Sequence, residues 1–457
     1  MNPRHDAHDA RVTLLTSGPM TKGIFSLALP IIAANSLAVA MEISNAFFLG
    51  KLGSDALAAI TMSGAVVFFL MTFGSGLSIG TVAMVSRAYG ERDYAKAEHI
   101  GAQSLILGVF VALIIGTTGF LLCERMLGLL GAKGVVLEMG TTYLKVLFSG
   151  LFLMFFFFQG NAVFQGSGDT VTPMKIGALS MVINICLSPL LIFGLLGLPR
   201  MGIAGAAISS LVARGVGAIL MARIILGGKH AVRFTRELLV IDLPVMKRLF
   251  AVGFPGAIQM MIRSTSVLVL TRIAATFEPV VLAALGVGNS IFSMFLLPGF
   301  GFGAACSTIV GQNLGARNPD RAQRGALMTT GYYLTLVVPL AIPLFIFART
   351  AASLFNSEPV FIELTSHFIR FQCVGALFLC PGMMASQALQ GAGATVIPML
   401  VTAVTLYGVQ LPLTWYLAVR LGLHAQGIWW ANISSGFVNA ILMSAMFMNG
   451  GWKRKRL

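Results

Sequence analysis

Residues 165–174 read QGSGDTVTPM, and residues 390–399 read QGAGATVIPM. The same offset of 225 residues relates further positions without a gap: Pro30 and Pro255, Gly90 and Gly315, Arg92 and Arg317, Gly202 and Gly427. Matches at one fixed offset along a whole chain indicate a duplicated unit. The chain is therefore predicted to consist of two halves with the same fold.

The composition is that of a membrane protein. Hydrophobic residues make up 57% of the chain and charged residues 10%, against about 25% charged residues in soluble domains. A membrane-spanning helix needs about 20 apolar residues, and six such runs are found in each half. The predicted spans are 24–48, 57–84, 100–122, 142–164, 174–197 and 203–226, then 249–274, 281–308, 326–348, 366–388, 398–420 and 427–448. The predicted fold class is all-α integral membrane, with twelve transmembrane helices as two six-helix repeats.

The distribution of Lys and Arg predicts the orientation. Most of the 31 basic residues lie in the two tails and in the loops after the even-numbered spans, and such loops stay in the cytoplasm. Both termini are therefore predicted to be cytoplasmic, and the even number of spans per half makes the repeats parallel. The net charge of +15 is explained by this topology and not by nucleic-acid binding.

These features predict five segments. They are a disordered cytoplasmic N-terminal tail (1–23), an N-lobe (24–226), a cytoplasmic linker (227–248), a C-lobe (249–448) and a basic cytoplasmic tail (449–457).

The sequence carries no motif for catalysis or for a bound metal. It has no P-loop, no HExxH and no paired Asp motif, and its five cysteines have no CxxC spacing. We therefore predict no catalytic residues, no cofactor and no enzyme activity. Two parallel bundles are typical of secondary transporters, with a small-molecule substrate and the lipid bilayer as the expected partners of a functional monomer.

Several motifs identify a family. The chain resembles the multidrug and toxic compound extrusion (MATE) family in Leu29-Pro30, in 47–53 (FFLGKLG), in 83–92, in 165–173, in 184–194 (NICLSPLLIFG) and in 202–207 (GIAGAA). This resemblance implies two lobes around a cavity that opens alternately to either side of the plasma membrane, the inner membrane in bacteria. It also implies export of organic, often cationic compounds, driven by inward flow of protons or sodium ions.

Glu42 is the only acidic residue well inside an apolar run. A carboxylate there costs several kcal/mol unless it is paired, hydrated or protonated, and it usually marks an ion pathway. Asn35, Ala38 and Asn45 share its helix face, and Asn35 is a candidate residue of the substrate cavity. We interpret Glu42 as a protonatable group facing the cavity; the alternative is a structural salt bridge.

Further polar residues in the first half are candidates for coupling ion flow to transport. Asn184 and Ser188 lie four residues apart on span 5, and Arg214 is one of few cations inside a span. A Glu42–Arg214 pair would be broken by protonation, which makes a usable switch. The alternative for Arg214 is a side chain that extends to the membrane interface.

The resemblance to the family is incomplete at its ion sites. Asn45 and Ser188 stand where the resemblance implies aspartates, and span 10 has no acidic residue over 367–389. The span 7 position implied to carry Glu in the sodium-coupled branch holds Arg263. We favour protons over sodium because one carboxylate among amides and hydroxyls makes a poor sodium site.

The second half supplies candidates for the substrate cavity. Gln259, Arg263 and Ser266 form a polar stripe on span 7, with Met260 and Phe292 as an adaptable apolar wall; the alternative for Arg263 is a structural role. Pro30 and Pro255 are candidate hinges. The predicted function is proton- or sodium-driven export of cationic or amphipathic compounds, and the alternative is a flippase or an exporter of a lipid-linked or anionic precursor.

Overall fold

The computed structural model describes residues 3–227, 238 and 240–455, and all regular structure in this part of the chain is helical. The predicted all-α class is confirmed. The helices are α1 (Pro3–Thr16), α2 (Met20–Gly50), α3 (Ser54–Gly90), α4 (Tyr94–Leu129), α5 (Gly134–Ser149), α6 (Leu151–Ser167), α7 (Val171–Phe193), α8 (Gly202–Gly227), α9 (Leu243–Ala274), α10 (Pro279–Gly315), α11 (Pro319–Ile346), α12 (Ala348–Ser353), α13 (Pro359–Gly391), α14 (Val396–Arg420) and α15 (His424–Met448).

The number of spans agrees with the prediction. Within the described residues, 11 helices are long and apolar enough to cross a membrane, and the bent pair α5 and α6 provides a twelfth span. The helices extend beyond the predicted runs: α3 covers Ser54–Gly90 where the hydrophobic pattern gave 57–84. Polar residues at the helix ends are also helical, so hydropathy alone underestimates the length of the helices.

The duplication extends to the backbone conformation of the turns. Arg92 and Arg317 both adopt left-handed angles, with φ of 58° and 57°, which are uncommon for residues other than glycine. Gly168 and Gly393 also match, with φ of 85° and 77°. Two repeat-related pairs of turns therefore fold in the same way in both halves, as the sequence matches predicted.

The fourth span differs from the straight helix predicted at 142–164. Helices α5 and α6 meet at a bend of 56°. A Cβ atom at Gly150, which separates them, would lie 1.8 Å from Leu211 of α8, so this leucine packs directly against the backbone at the bend. The repeat mates of these two residues are Gly375 and Gly436, neither of which has a side chain, and α13 runs unbroken through the corresponding place.

The predicted disorder of the N-terminal tail is wrong, because residues 3–16 form α1. Val12 and Leu15 bury their side chains, with 1% and 3% exposure. Arg11 Nη1 lies 2.9 Å from Asp169 Oδ2, and Asp169 is buried. The buried side chains of Val12 and Leu15 and the Arg11–Asp169 ion pair thus hold α1 in place, although the polar composition of this segment suggested a solvated tail.

The chain divides into two compact units. Unit 1 comprises residues 1–13 and 29–257, and unit 2 comprises 14–28 and 258–457. The boundaries therefore lie inside α1, after Thr13, and inside α2 and α9, close to Pro30 and Pro255, and not in the linker at 227–248.

Packing at the first parts of α2 and α9 explains this division. In unit 2, Thr21 hydrogen-bonds Tyr332 through their hydroxyls at 2.7 Å. In unit 1, a Cβ atom at Gly80 of α3 would lie 2.7 Å from the carbonyl oxygen of Leu249, so α9 lies directly against a glycine. The first part of α2 therefore belongs to unit 2 and the rest of α2 to unit 1. The first part of α9 belongs to unit 1 and the rest of α9 to unit 2.

Most of the predicted linker, 228–237 and 239, lies outside the described residues. Its end is tied to α4 within unit 1: Gln103 Nε2 donates to the carbonyl oxygens of Leu238 and Val240, and Gln103 Oε1 accepts from the backbone N–H of Asp242. In the C-terminal segment, Trp452 is buried and stacks on Phe447 at 5.1 Å.

We expect Gly391→Ala to lower the thermal unfolding midpoint of the purified protein. A Cβ atom there would lie 2.2 Å from the carbonyl oxygen of Ser307, and forcing such a contact apart costs about 1–3 kcal/mol. Gly436→Ala is the control because its Cβ would enter open space. This control should keep or slightly raise the midpoint, and equal losses in both variants would contradict close packing at Gly391.

Candidate functional site

Unit 1 contains a cavity of about 340 Å³ between five of its helices. Its lining residues come from α2, α3, α6, α7 and α8 and from the turn before α7. They are Ile31, Ala34, Asn35, Leu37, Ala38, Met41, Ser78, Phe157, Phe158, Asn161, Ala162, Gln165, Thr170, Pro173, Met174, Gly177, Ser180, Met181 and Arg214. Most of this wall is apolar, and the volume is in the range of small-molecule sites.

Arg214 is the only charged residue in this lining. It is half-buried, and the structure records neither an ion pair nor a hydrogen bond of its guanidinium group with any described residue. A cation inside a membrane span is costly without a counter-charge. Arg214 therefore gives the cavity a positive pole.

Two other lining side chains have unused hydrogen-bonding capacity. Ser180 Oγ and Asn161 Oδ1 are buried and have no hydrogen-bond partner within the described part of the chain. Buried polar groups in proteins are nearly always bonded. The unbonded atoms at Ser180 and Asn161 therefore mark places where a ligand or water would bind.

A network of amide and hydroxyl side chains joins α2, α7 and α8 next to the cavity. Asn45 Nδ2 donates to Ser210 Oγ at 3.5 Å, and Asn45 Oδ1 accepts from Ser188 Oγ at 3.1 Å. Asn184 Nδ2 also donates to Ser210 Oγ, at 3.2 Å, and the hydroxyls of Ser188 and Ser209 lie 2.7 Å apart. We call these five residues the Asn–Ser network.

The structure thus brings together three of the predicted coupling residues, Asn45, Asn184 and Ser188. The network lies one helical turn beyond the cavity on each helix: Asn184 follows Ser180 on α7, and Ser210 precedes Arg214 on α8. It joins the three helices there through hydrogen bonds between uncharged side chains.

Glu42 lies on α2 between the cavity residue Met41 and the network residue Asn45. It is exposed and does not line the cavity. Arg214 and Tyr143 are both within electrostatic range of its carboxylate. However, the ion pairs recorded among the described residues do not include Glu42 with Arg214, so the proposed pair is not in contact in this conformation.

The predicted residues of the second half lie in unit 2. Gln259 is buried and bonded on both sides: Nε2 donates to Thr402 Oγ1 at 2.8 Å, and Oε1 accepts from Gln390 Nε2 at 2.9 Å. Ser266 is also buried and donates to Gln410 at 3.3 Å. These two side chains are committed to bonds between helices of unit 2.

The other predicted cavity residues of the second half are less buried. Arg263, Met260 and Phe292 are half-buried in unit 2, and the guanidinium group of Arg263 makes no recorded ion pair or hydrogen bond with a described residue. Of all predicted site residues, the unit 1 cavity contains Asn35 and Arg214.

Comparison of the two halves explains why unit 1 has a cavity at this place. At the 225-residue offset, Ala34 and Gly177 correspond to Gln259 and Thr402, which are hydrogen-bonded to each other in unit 2. A Cβ atom added at Gly177 would meet nothing within 4 Å. Small residues in the first half leave open the space that bonded polar side chains fill in the second.

The same comparison accounts for the polar lining. Ser180 and Arg214 correspond to Thr405 and Asn439, and in unit 2 Asn439 Nδ2 donates to Thr405 Oγ1 at 3.1 Å. Asn161 corresponds to Ser386, a further member of the bonded group around Gln259. Sequence analysis of single spans missed Asn161, Gly177 and Ser209. A search for small residues in one half opposite polar residues in the other would have found Gly177.

Comparisons with known proteins agree with this architecture. The MatE family model matches residues 30–190 and again 255–416, with starts separated by the repeat offset. A probable multidrug resistance protein NorM of Thermotoga maritima is 26% identical over 437 residues, covering 95% of this chain and 93% of that protein.

Two further likenesses cover most of the chain. An FAD transporter of Shewanella oneidensis is 28% identical over 359 residues, or 78% of each protein. A crystal structure of a MATE protein in the straight conformation superposes with a TM-score of 0.90 at 23% identity and covers 97% of this chain and 99% of that one. With the family model matching both halves, the chain belongs to the MATE family of multi-pass membrane transporters, the multidrug and toxic compound extrusion proteins.

Proposed function

We propose that the protein exports amphipathic organic compounds by alternating access, with the unit 1 cavity as the binding site and protons entering in exchange. The cavity supports this proposal: it is largely apolar, of ligand size, and has a positive pole and two unbonded polar atoms. An adaptable wall with Met41, Met174, Met181 and Phe157 suits varied ligands.

Glu42 is the proposed proton-binding group. Its position one residue from the cavity lining and three residues from Asn45 connects it to both the binding site and the Asn–Ser network. Protonation removes a negative charge within electrostatic range of Arg214. This would weaken the attraction between α2 and α8. The change would affect the two hydrogen bonds by which Asn45 of α2 binds Ser188 of α7 and Ser210 of α8.

Protons are proposed as the coupling ion in preference to sodium ions. The Asn–Ser network offers only neutral oxygens, and Glu42 is the one carboxylate proposed beside it, which together make a poor site for a sodium ion. We further propose a monomer in the plasma membrane, the inner membrane in bacteria, with both termini in the cytoplasm, as the distribution of basic residues supports.

A second candidate function is export of an anionic compound. It is favoured by Arg214 as the only charged group of the cavity lining, and a relative named as an FAD transporter carries a phosphate-bearing cargo.

We expect Glu42→Gln to reduce proton-driven transport at least 10-fold, because glutamine keeps the size of the side chain but cannot take up a proton. The measurement is accumulation of fluorescent organic compounds, one anionic and one cationic, in proteoliposomes under an imposed pH gradient. Using both probes makes this test independent of the charge that the cavity prefers.

Glu138→Gln is the matched control, because Glu138 is an exposed acid of α5 away from the cavity. It should transport as the unchanged protein does. Full activity of Glu42→Gln would assign Glu42 a structural role, and accumulation that follows a sodium gradient but not a pH gradient would overturn proton coupling.

We also expect Gly177→Thr to abolish binding and transport without unfolding the protein. Threonine introduces at this site the side chain that its repeat mate Thr402 already has, and the new atoms enter the cavity and not a packed helix contact. Gly64→Thr is the control: it also enters open space but lies outside the cavity lining. Transport and thermal unfolding of both variants give the answer, and normal transport by Gly177→Thr would exclude this cavity as the substrate site.

A further inference from the structure

We propose that the unit 1 cavity selects organic anions: a carboxylate or phosphate group binds at Arg214, Ser180 and Asn161, and an apolar body lies along the walls. This inference rests on the assignment of that cavity as the transport site. It goes beyond the two candidate functions in naming the charged group of the cargo and the three residues that bind it.

The charge of the cavity lining favours an anionic ligand. Arg214 brings a guanidinium group to a wall that contains no carboxylate. Glu42 is within electrostatic range but outside the lining and not in ion-pair contact. A ligand anion in the cavity would reach Arg214 directly, whereas a ligand cation would be repelled by a positive charge that has no ion-pair partner among the described residues.

The chemistry of the nearby polar groups fits an anion. The Ser180 hydroxyl is buried, has 7% exposure and has no hydrogen-bond partner among the described residues, so it is free to donate. The side-chain amide of Asn161 carries donors on nitrogen and has an unbonded oxygen beside them. Rotation of this amide about its last side-chain bond would exchange the positions of its oxygen and nitrogen, so that the N–H groups donate to a bound anion.

The comparison with unit 2 shows that the positive pole is a special feature of the first half. The second half has the neutral Asn439 at the place of Arg214, and Asn439 is bonded to Thr405. The duplicated fold therefore forms at this position without a charge. The repeat therefore does not require an arginine at 214, which is consistent with a role of its charge in ligand binding.

The shape of the remaining lining indicates an aromatic or aliphatic body. Phe157, Phe158 and Met181 face the same space as Arg214, so an anionic group and a ring can be bound at once. A cavity of about 340 Å³ accommodates a bicyclic aromatic acid.

The test uses three naphthalene compounds that differ only in charge: 2-naphthoate, 2-naphthamide and 2-naphthylmethylammonium. Their dissociation constants are measured by calorimetry with the full-length protein in lipid nanodiscs. We expect 2-naphthoate to bind at least 10-fold more tightly than the other two, because hydrogen bonds between a guanidinium group and a carboxylate are stronger than those between neutral groups.

Arg214→Asn is the decisive variant, since the second half of this chain already folds with asparagine at the matching position. It should weaken 2-naphthoate binding about 10- to 100-fold and leave 2-naphthamide binding unchanged. Arg214→Lys should retain part of the preference. Arg272→Gln, at an exposed arginine in the last turn of α9, is the control and should bind all three compounds as the unchanged protein does.

Three results would overturn the inference: tighter binding of the ammonium compound, equal affinities for all three, or equal loss of naphthoate and naphthamide in Arg214→Asn. The outcomes also separate this inference from the proposed function. Arg214-dependent naphthoate binding without proton-driven transport contradicts only the proposed function, and proton-driven transport without a charge preference contradicts only the inference.

Discussion

The cost of an unpaired charge inside a membrane governs the arrangement of unit 1. Arg214 lies on a span, faces a cavity, and has no ion pair with a described residue. The side-chain hydrogen bonds recorded between α2, α7 and α8 in the described part of the chain come from neutral amides and hydroxyls. The Asn–Ser network therefore holds these helices together without neutralising the arginine, and the charge remains available to whatever enters the cavity.

The two halves solve the same packing problem differently. In unit 2, Gln259, Gln390 and Thr402 fill the space between helices and bond to one another. In unit 1, Ala34 and Gly177 leave that space open. A fully bonded polar cluster stiffens a helix bundle, whereas an open cavity with unbonded polar atoms binds ligands. The two copies of the bundle therefore differ at a few positions in the size of their side chains, and these differences open a cavity in unit 1 at a place that is filled in unit 2.

The architecture could be predicted from the sequence because it depends on features that are averaged over many residues. Twelve spans follow from runs of about 20 apolar residues, and the duplication follows from matches at one offset. Asn45, Asn184 and Ser188 were found because polar side chains inside a span are rare. The bend at Gly150 could not be predicted, since it depends on Leu211 from a distant span.

Other parts of the site depend on contacts that no local pattern carries. The helical N-terminal segment is held by Asp169, which is far from it in sequence. Gln259 and Ser266 form the same kind of polar stripe as the cavity residues, but their hydrogen-bond partners lie on other helices. Whether a polar stripe faces a cavity or a neighbouring helix is decided by those partners, so one helix viewed alone does not distinguish the two cases.

The arginine in the cavity also determines how the membrane potential acts on transport. A cell membrane that is negative inside drives anions outward, and moving one elementary charge across it is worth about 2.3 kcal/mol per 100 mV. If the cavity binds anions at Arg214 as proposed, the cargo would leave the cell with the help of this potential, while a cation of the same size would have to be moved against it. The side chain at position 214, by selecting the charge of the cargo, would then decide whether the electrical gradient aids or opposes export.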